Sequence, residues 1–289
     1  MIGPSSLAAL LAAIARGRNI QLASSLLREG RLVAALEAAG ERGASVRVDL
    51  EDRPYAGDSA VRVRLAEQNS DVTGALQQHH VDARLRGAGQ PPLHLKAAIV
   101  DGIAYLDDRN WPERGGDSIV TIDDAADVAA LRSAIGGAPR SGPHLATIKG
   151  DALALETYAI ASSPPSDVLS CETESIGGSA VVDALCARAR RGGCVRLLVD
   201  RHDLGGGKHV AAAAALRTLA GAGVDVRACD GAEKFALAGK QAWLGSANAT
   251  TGEAGALDWG LQTRSRAVID RLQAHFDARW AGAGPASQP

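Results

Sequence analysis

The sequence predicts an α/β protein made of two tandem halves. Three observations favour this fold class: helical stretches alternate with short apolar strands, the same order of elements occurs twice, and a Gly/Pro-rich segment separates the two copies. Such alternation is typical of layered units in which helices cover a sheet. We therefore expect two α/β/α sandwich halves related by a pseudo-two-fold axis. Ligand sites usually lie in clefts at such interfaces, so we expect the site there.

Each copy opens with a helix that ends at glycine and with the strand that follows it. These elements are residues 31–43 and 45–50 in the first copy, and residues 179–191 and 194–200 in the second. Apolar residues recur every three or four positions in both helices, and glycine is the usual residue just beyond a helix C-terminus. The two copies therefore begin alike.

The rest of each copy also has one order: helix, strand, hairpin, strand and closing helix. In chain order the recognisable elements are residues 81–84, 93–110, 118–122 and 125–135, and then residues 224–227, 233–248, 259–263 and 267–280. A long internal repeat predicts two units of one design. We place the first half at residues 1–136, a linker at 137–150, the second half at 151–281 and a flexible tail at 282–289.

The composition narrows the class of protein. With 46% apolar and 22% charged residues, the chain is expected to fold. A net charge of −2 and 3% aromatic residues argue against a nucleic-acid binder, which would show a basic surface and stacking side chains. The apolar stretch at residues 7–15 is too short to span a bilayer and has no basic segment before it. We therefore expect no transmembrane segment and no signal peptide.

The four cysteines form no CxxC pair and match no zinc spacing. This favours idle thiols in a reducing cytoplasm, where we place the protein. We expect a monomer. Glu172 and Glu174 follow a stretch that can form a short strand, and two interpretations are open: they line the cleft, or they lie near the positive end of the helix at residues 179–191. We favour the second.

The first hairpin contains His94 and Lys96. Residues i and i+2 share one face of a strand, so both side chains are expected on the same side. An imidazole beside an ammonium suits phosphate chemistry, because the imidazole can attack phosphorus or move a proton while the ammonium neutralises phosphoryl oxygens.

The second hairpin repeats part of this pattern at a fixed offset of 138 residues. Lys96 corresponds to Lys234, and Asn110 corresponds to Asn248. The chain has only five lysines against 26 arginines, yet two of the five occupy these matched positions. A compact ammonium is therefore favoured there over the planar guanidinium.

These residues resemble the signature of the phospholipase D superfamily, H-x-K-x4-D followed by a short strand and G-S-x-N. The sequence resembles a two-motif member over nearly its whole length, with a degenerate second motif. The first copy has Asp107 and Asp108 where Gly-Ser is usual, and the second has Ala232 where His is usual and Gly239 where Asp is usual. The motif residues retained are His94, Lys96, Asp101 and Asn110, and then Lys234, Ser246 and Asn248.

The resemblance implies a metal-independent site, with no cofactor, to which both motifs contribute. One histidine attacks the phosphodiester and becomes a phosphohistidine, and the other protonates the leaving alkoxide. Lysine and asparagine hold the phosphoryl oxygens. An acidic residue after each asparagine orients the imidazole of the opposite half, so the resemblance assigns Asp258 to His94 and sets Asp117 opposite Ala232.

The histidine missing at Ala232 removes the expected general acid, and such help is typically worth ~10²–10⁴-fold in rate. His202 and His209, in the glycine-rich loop at residues 201–209, are candidates for a substitute acid. The loop precedes a helix, and its glycines and the helix N-terminus can receive an anion.

Three functions follow from these observations. The first is a phosphodiesterase, a hydrolase or phosphatidyl-type transferase, that acts through His94 on a phosphodiester such as a phospholipid. The second is a catalytically impaired pseudoenzyme that binds a phosphate-containing ligand. The third is a nuclease of the same superfamily, which the charge and aromatic content disfavour.

Overall fold

The structure is a computed structural model that describes residues 1–28, 30–56, 58–87, 89–111, 118–204 and 209–286, without the side chains of Asp203 and His209. The chain divides into two compact units. The first comprises Met1–Ile148 and Gly255–Trp259, and the second comprises Lys149–Ala254 and Gly260–Pro289. Both units contain one sheet and several helices, which confirms the predicted α/β class.

The first unit is built on a seven-stranded sheet with the order β1-β7-β6-β5-β2-β3-β4. Its strands are β1 (Ile2–Pro4), β2 (Asn19–Ser24), β3 (Ser45–Glu51), β4 (Asp82–Arg86), β5 (Lys96–Val100), β6 (Ile103–Leu106) and β7 (Val120–Ile122), and its helices are α1 (Leu7–Arg16), α2 (Arg31–Glu41), α3 (Ser59–Gln78) and α4 (Ala125–Ile135). Strands β2, β3 and β4 are parallel, whereas β5 is antiparallel to β2. Side chains of α1, α2 and α3 share one buried apolar cluster with β2 and β3.

The second unit begins after a two-residue strand, β8 (Leu145–Ala146). Its other strands are β9 (Leu169–Thr173), β10 (Val195–Asp200), β11 (Asp225–Cys229), β12 (Phe235–Ala238), β13 (Gln241–Gly245), β14 (Gly260–Thr263) and β15 (Gly284–Pro285), and its helices are α5 (Lys149–Ser162), α6 (Ala180–Arg190), α7 (His209–Gly221) and α8 (Arg266–Gly282). Within this unit the strand order is β15-β11-β10-β9-β12-β13-β14. Strands β9, β10 and β11 are parallel, and β12 is antiparallel to β9.

The two sheets have the same design. The order β7-β6-β5-β2-β3-β4 in the first unit corresponds to β14-β13-β12-β9-β10-β11 in the second. The structure adds one element to the repeat seen in the sequence, because a central strand, β2 or β9, lies between the hairpin and the next parallel strand in each unit. Each of these strands precedes the helix with which a predicted copy begins, and each carries polar residues among its apolar ones, such as Gln21 in β2 and Glu172 in β9.

The sheet geometry brings each motif to the end of its central parallel strand. Lys96, the first residue of β5, is the Cα partner of Ser24, the last residue of β2. In the second unit, Phe235 begins β12 and is the Cα partner of Glu172. Ligands of open α/β sheets bind beyond the carboxyl ends of parallel strands, so both motifs lie at the edge where binding sites form.

The hairpin turns explain one departure of the second motif. Asp101 and Gly239 occupy matched turn positions and have positive φ angles of 47° and 57°. The Asp101 carboxylate accepts hydrogen bonds from Arg18 N and Asn19 N, which fixes the turn onto the start of β2. At Gly239 a Cβ atom would collide with Asp167 Oδ2. Asp101 is therefore a structural residue, and glycine is the residue that fits the second turn.

A buried carboxylate contacts the predicted linker, residues 137–150. In the linker, the buried Asp127 of α4 accepts hydrogen bonds from His144 N and Leu145 N, and its Oδ2 lies 2.9 Å from His144 Nδ1. This carboxylate therefore ties the segment before β8 to α4.

Among the helices that the structure describes, none has the length and apolar character needed to cross a bilayer.

Candidate active site

His94 is fixed by its backbone at the edge of the first sheet. Its N–H donates to Leu257 O at 2.8 Å, and Leu93 pairs with Leu257 in an isolated parallel bridge. The N–H of Leu93 donates to Glu51 Oε2 at 2.6 Å. Glu51 is the last residue of β3, so one carboxylate at a strand end holds the segment that carries the histidine.

Asp258 orients the His94 ring within the first unit. Its Oδ1 lies 2.7 Å from His94 Nδ1, and its carboxylate is 2% exposed while the His94 side chain is 27% exposed. With Nδ1–H donating to the carboxylate, the lone pair of the neutral ring lies on Nε2. The neighbouring Trp259 donates from Nε1 to Asp107 O at 2.8 Å and fixes this short segment. The ring is therefore held in the tautomer that a nucleophile requires.

Lys96 and Asn110 lie in the same unit as His94. Lys96 is buried, and its Nζ donates to His94 O at 2.8 Å. Asn110 Oδ1 accepts a hydrogen bond from Ser25 Oγ at 2.8 Å. Ser25 directly follows β2, so it is a residue that fixes the asparagine and that the sequence pattern did not reveal.

Asp107 and Asp108, which replace the usual Gly-Ser pair, are buried. Asp107 Oδ2 accepts the N–H of Trp111 at 2.6 Å. Asp107 N donates to Lys96 O at 2.9 Å, and Gly245 N donates to Lys234 O at 3.1 Å. The two motifs thus share their backbone geometry, and the Asp107 side chain adds a local cap to the first.

The second motif places Lys234 against a carboxylate. Its Nζ lies 2.7 Å from Glu174 Oε2, and the two side chains are 1% and 44% exposed. Glu174 directly follows β9, in the position that Ser25 occupies after β2. Its role therefore differs from the helix-end interpretation, because it forms an ion pair with the motif lysine.

Ser246 and Asn248 follow β13 at the same edge of the second sheet. Ser246 is buried. Asn248 is half-buried, and its Oδ1 accepts no hydrogen bond from the described residues. The next residue, Ala249, is fixed at its carbonyl oxygen by Gly177 N at 3.0 Å and by Ser179 Oγ at 3.1 Å.

Ala232, at the position of the missing histidine, is buried and bound to a strand-end carboxylate. Asp200, the last residue of β10, accepts Ala232 N on Oδ2 at 3.1 Å and His202 N on Oδ1 at 2.9 Å. His202 is exposed and lies in a 3₁₀ turn, Arg201–Leu204. The backbones of His202 and Ala232 therefore share one carboxylate.

Two other candidates from the sequence fall outside this description. His209 begins α7, but its side chain is outside the described part of the structure, as are residues 205–208 of its loop. Asp117 lies outside the described residues as well.

A cluster of buried polar residues joins the second motif to α8. Glu172 accepts Glu233 N at 2.9 Å and lies 3.0 Å from Arg279 Nε, while His275 Nε2 lies 3.8 Å from Glu233 Oε2. The Glu233 side chain therefore faces α8. The side chains of residues 232 and 234 are expected on the opposite side, because successive side chains of an extended segment alternate. Burial raises the pKa of the Cys229 thiol, so this cysteine stays protonated and is a poor nucleophile.

A cavity of about 500 Å³ lies in the second unit beside the segment that follows Asn248. Leu153, Ala154 and Tyr158 of α5 line it, together with Ser179, Thr250 and Thr251. Most of its polar groups already have partners: Lys149 Nζ donates to Thr250 Oγ1 and Gly252 O, Ser179 Oγ to Ala249 O, and Thr157 Oγ1 to Leu153 O. The cavity therefore offers a largely apolar surface to a ligand.

Among the residues that the structure describes, no group of three or more His, Cys, Asp or Glu side chains is arranged to hold a metal ion.

The family described as "Cardiolipin synthase, PLD-like domain" matches residues 167–280 of the chain. No curated protein sequence matches this chain. Polyphosphate kinase from Porphyromonas gingivalis is similar in structure, with a TM-score of 0.64 and 15% identity over 97% of this chain and 50% of that one. The chain thus spans half the length of that protein, and the likeness shows the fold alone.

Two shorter proteins are similar over one half of the chain. Nuc from Salmonella typhimurium, a phospholipase D family member, has a TM-score of 0.41 and 21% identity over 46% of this chain and 89% of its own. NucT from Helicobacter pylori has a TM-score of 0.35 and 14% identity over 47% of this chain and 94% of its own.

Proposed function

We propose that the protein is a phosphodiesterase or phosphatidyl-type transferase with His94 as its nucleophile. The match of residues 167–280 to the family described as "Cardiolipin synthase, PLD-like domain" supports this proposal. The observation that carries the proposal is the contact between His94 Nδ1 and the buried Asp258 carboxylate at 2.7 Å. That contact leaves Nε2 of a partly exposed ring with a lone pair for attack. A carboxylate on Nδ1 also stabilises the positive charge that the ring acquires when Nε2 bonds to phosphorus.

The proposed reaction has two steps. His94 Nε2 bonds to phosphorus while the bond from phosphorus to the leaving oxygen breaks, which gives a phosphohistidine and an alcohol once the alkoxide gains a proton. Water or a second alcohol then attacks phosphorus and releases His94. We assign Lys96, Asn110, Lys234, Ser246 and Asn248 to the phosphoryl oxygens, because positive charge and hydrogen-bond donors there stabilise the transition state.

Two observations support a substrate with an apolar substituent. The matching family is described as cardiolipin synthase, which favours a phosphatidyl-type diester. The cavity of about 500 Å³ begins two residues after Asn248 and is of a size that commonly binds small ligands. Its largely apolar surface suits a hydrocarbon chain better than a charged sugar–phosphate backbone. The net charge of −2 also disfavours the nuclease alternative.

Hydrolysis of bis-p-nitrophenyl phosphate tests the proposal. We expect release of nitrophenol that persists in EDTA, a trapped phosphohistidine, and loss of both in His94→Ala. His144→Ala is the matched control, since His144 also contacts a buried aspartate but lies outside the motifs. Nitrophenol release that persists in His94→Ala would overturn the proposal.

The pseudoenzyme alternative is favoured by one feature, the alanine at position 232. It predicts no turnover of any diester, together with vanadate binding that Lys234→Met weakens. The same assay series separates it from the enzyme.

A further inference from the structure

Glu174 has no part in the reaction described so far, although its carboxylate lies 2.7 Å from Lys234 Nζ. We propose that Glu174 is the proton donor of the second motif and takes the place of the histidine absent at Ala232. This inference rests on the proposed function and adds the residue that protonates the leaving oxygen.

The position of Glu174 in the fold supports this role. It is the first residue after β9, at the carboxyl end of the central parallel strand, where ligands of such sheets bind. In the first unit the corresponding residue is Ser25, and it hydrogen-bonds the motif residue Asn110. Side chains at this position therefore contact motif residues in both units, and only in the second is that side chain an acid.

The environment of the carboxyl group suits proton transfer. Lys234 is 1% exposed and Glu174 is 44% exposed, so a solvent-accessible carboxylate contacts a buried ammonium. A side chain at position 232 would share a face with Lys234, because residues i and i+2 of an extended segment point the same way. Glu174 thus brings an acid to the side of Lys234 on which the missing histidine would lie.

A bound phosphodiester would change the protonation of this acid. When phosphoryl oxygens take the Lys234 ammonium, their negative charge beside the carboxylate favours its neutral form. In the first step the Glu174 carboxyl proton moves to the leaving oxygen as its bond to phosphorus breaks, which leaves a carboxylate and a free alcohol. In the second step the carboxylate takes the proton of the attacking water or alcohol, which restores the acid.

The other acidic groups near position 232 have different partners, such as Arg201 for Asp230. Both oxygens of Asp200 accept backbone N–H groups, from Ala232 and His202. Glu233 is buried on the side of α8, 3.8 Å from His275 Nε2. His202 remains the competing candidate, since its exposed side chain follows β10.

The test compares methyl aryl phosphodiesters with good and poor leaving groups. p-Nitrophenolate leaves without a proton, whereas phenolate benefits from one. For Glu174→Gln we expect a fall of under about threefold with methyl p-nitrophenyl phosphate and of ~10²-fold with methyl phenyl phosphate. His202→Gln should lower both rates equally or leave both unchanged. Glu174→Asp, which keeps the acid, should recover part of the loss with the phenyl diester.

Equal losses of Glu174→Gln on both diesters, or no loss on either, would overturn the inference, as would a leaving-group-dependent loss in His202→Gln alone. Because Glu174 is 44% exposed, the glutamine variant should fold, and an unchanged melting temperature verifies this. The outcomes also separate the two proposals. If wild-type turnover depends on His94 but not on Glu174, only the proton donor is wrong. If turnover is independent of His94, the proposed function itself fails.

Discussion

Asp258 lies 164 residues after His94 in the chain, yet its Oδ1 is 2.7 Å from His94 Nδ1. The bridge between Leu93 and Leu257 and the hydrogen bond from Trp259 Nε1 to Asp107 O hold the two segments together on both sides of the contact. A similar contact joins His144 of the linker to Asp127 of α4, but there the two residues are 17 apart in sequence and the carboxylate also accepts backbone N–H groups. The first pair orients a ring, whereas the second fixes a loop.

Asp258→Asn should reduce diester hydrolysis by about 10²-fold or more, because the amide can impose the wrong tautomer on His94. Nitrophenol release and the yield of trapped phosphohistidine measure the effect. His144→Asn, which disturbs the linker pair instead, should retain full activity. Activity in Asp258→Asn equal to that of the wild type would show that the carboxylate does not prepare His94 for attack.

Lys96→Met should separate stability from activity. Methionine fills the space of the buried lysine without a charge, so we expect the melting temperature to change by less than about 4 °C. The rate of diester hydrolysis should fall by ~10²–10³-fold, because an ammonium that neutralises phosphoryl oxygens is lost. Thermal unfolding and nitrophenol release are the two measurements. Lys240→Met, at the exposed turn between β12 and β13, is the control, and a similar loss of activity in it would contradict this role for Lys96.

Lys234→Met tests whether the second motif serves the reaction of His94. We expect a loss of ~10²-fold in hydrolysis and weaker inhibition by vanadate, because this ammonium is assigned to the phosphoryl group. Lys240→Met again serves as the lysine control. Full activity and unchanged vanadate inhibition in Lys234→Met would mean that the degenerate motif takes no part in catalysis.

Glu156 of α5 should make the stability of the protein depend on pH. Burial raises the pKa of this carboxyl from 4.5 to about 8, so the folded state holds a proton that the unfolded state releases. Its contribution is therefore full below pH 4.5 and is lost as the pH rises towards about 8. Glu156→Gln should melt about 5 °C higher than the wild type at pH 8, with a much smaller difference at pH 5. If the difference in melting temperature between the two proteins were the same at pH 5 and pH 8, this role of Glu156 would be wrong.

The α/β class and the repeat could be predicted from the sequence because most strands are apolar and most helices have a clear period. The central strands β2 and β9 lie outside the predicted repeat, because each precedes the helix with which a predicted copy begins. The buried Glu172 of β9 is compensated by Arg279 of α8, a partner from a distant segment of the chain. Such compensation has no local signal.

Part of the candidate site was accessible from the sequence for a different reason. His94, Lys96, Lys234 and Asn248 stand out because a short pattern occurs twice at one offset. The structure brings His94 and Asp258 together, a pair that only a resemblance had suggested. Ser25 carries no signal of its own, because a single serine outside a motif has no characteristic spacing. Glu174 stands out in the sequence, but its ion pair with Lys234 depends on the pairing of β9 with β12, which local sequence does not specify.

The Gly255–Trp259 segment belongs to the first unit, although the residues on both sides of it in the sequence belong to the second unit. A gene fragment that ended at the linker would therefore encode a histidine without its carboxylate partner. Transfer of residues 1–148 alone to another protein would likewise separate His94 from Asp258. An intact first unit therefore needs the pentapeptide Gly255–Trp259 in addition to residues 1–148.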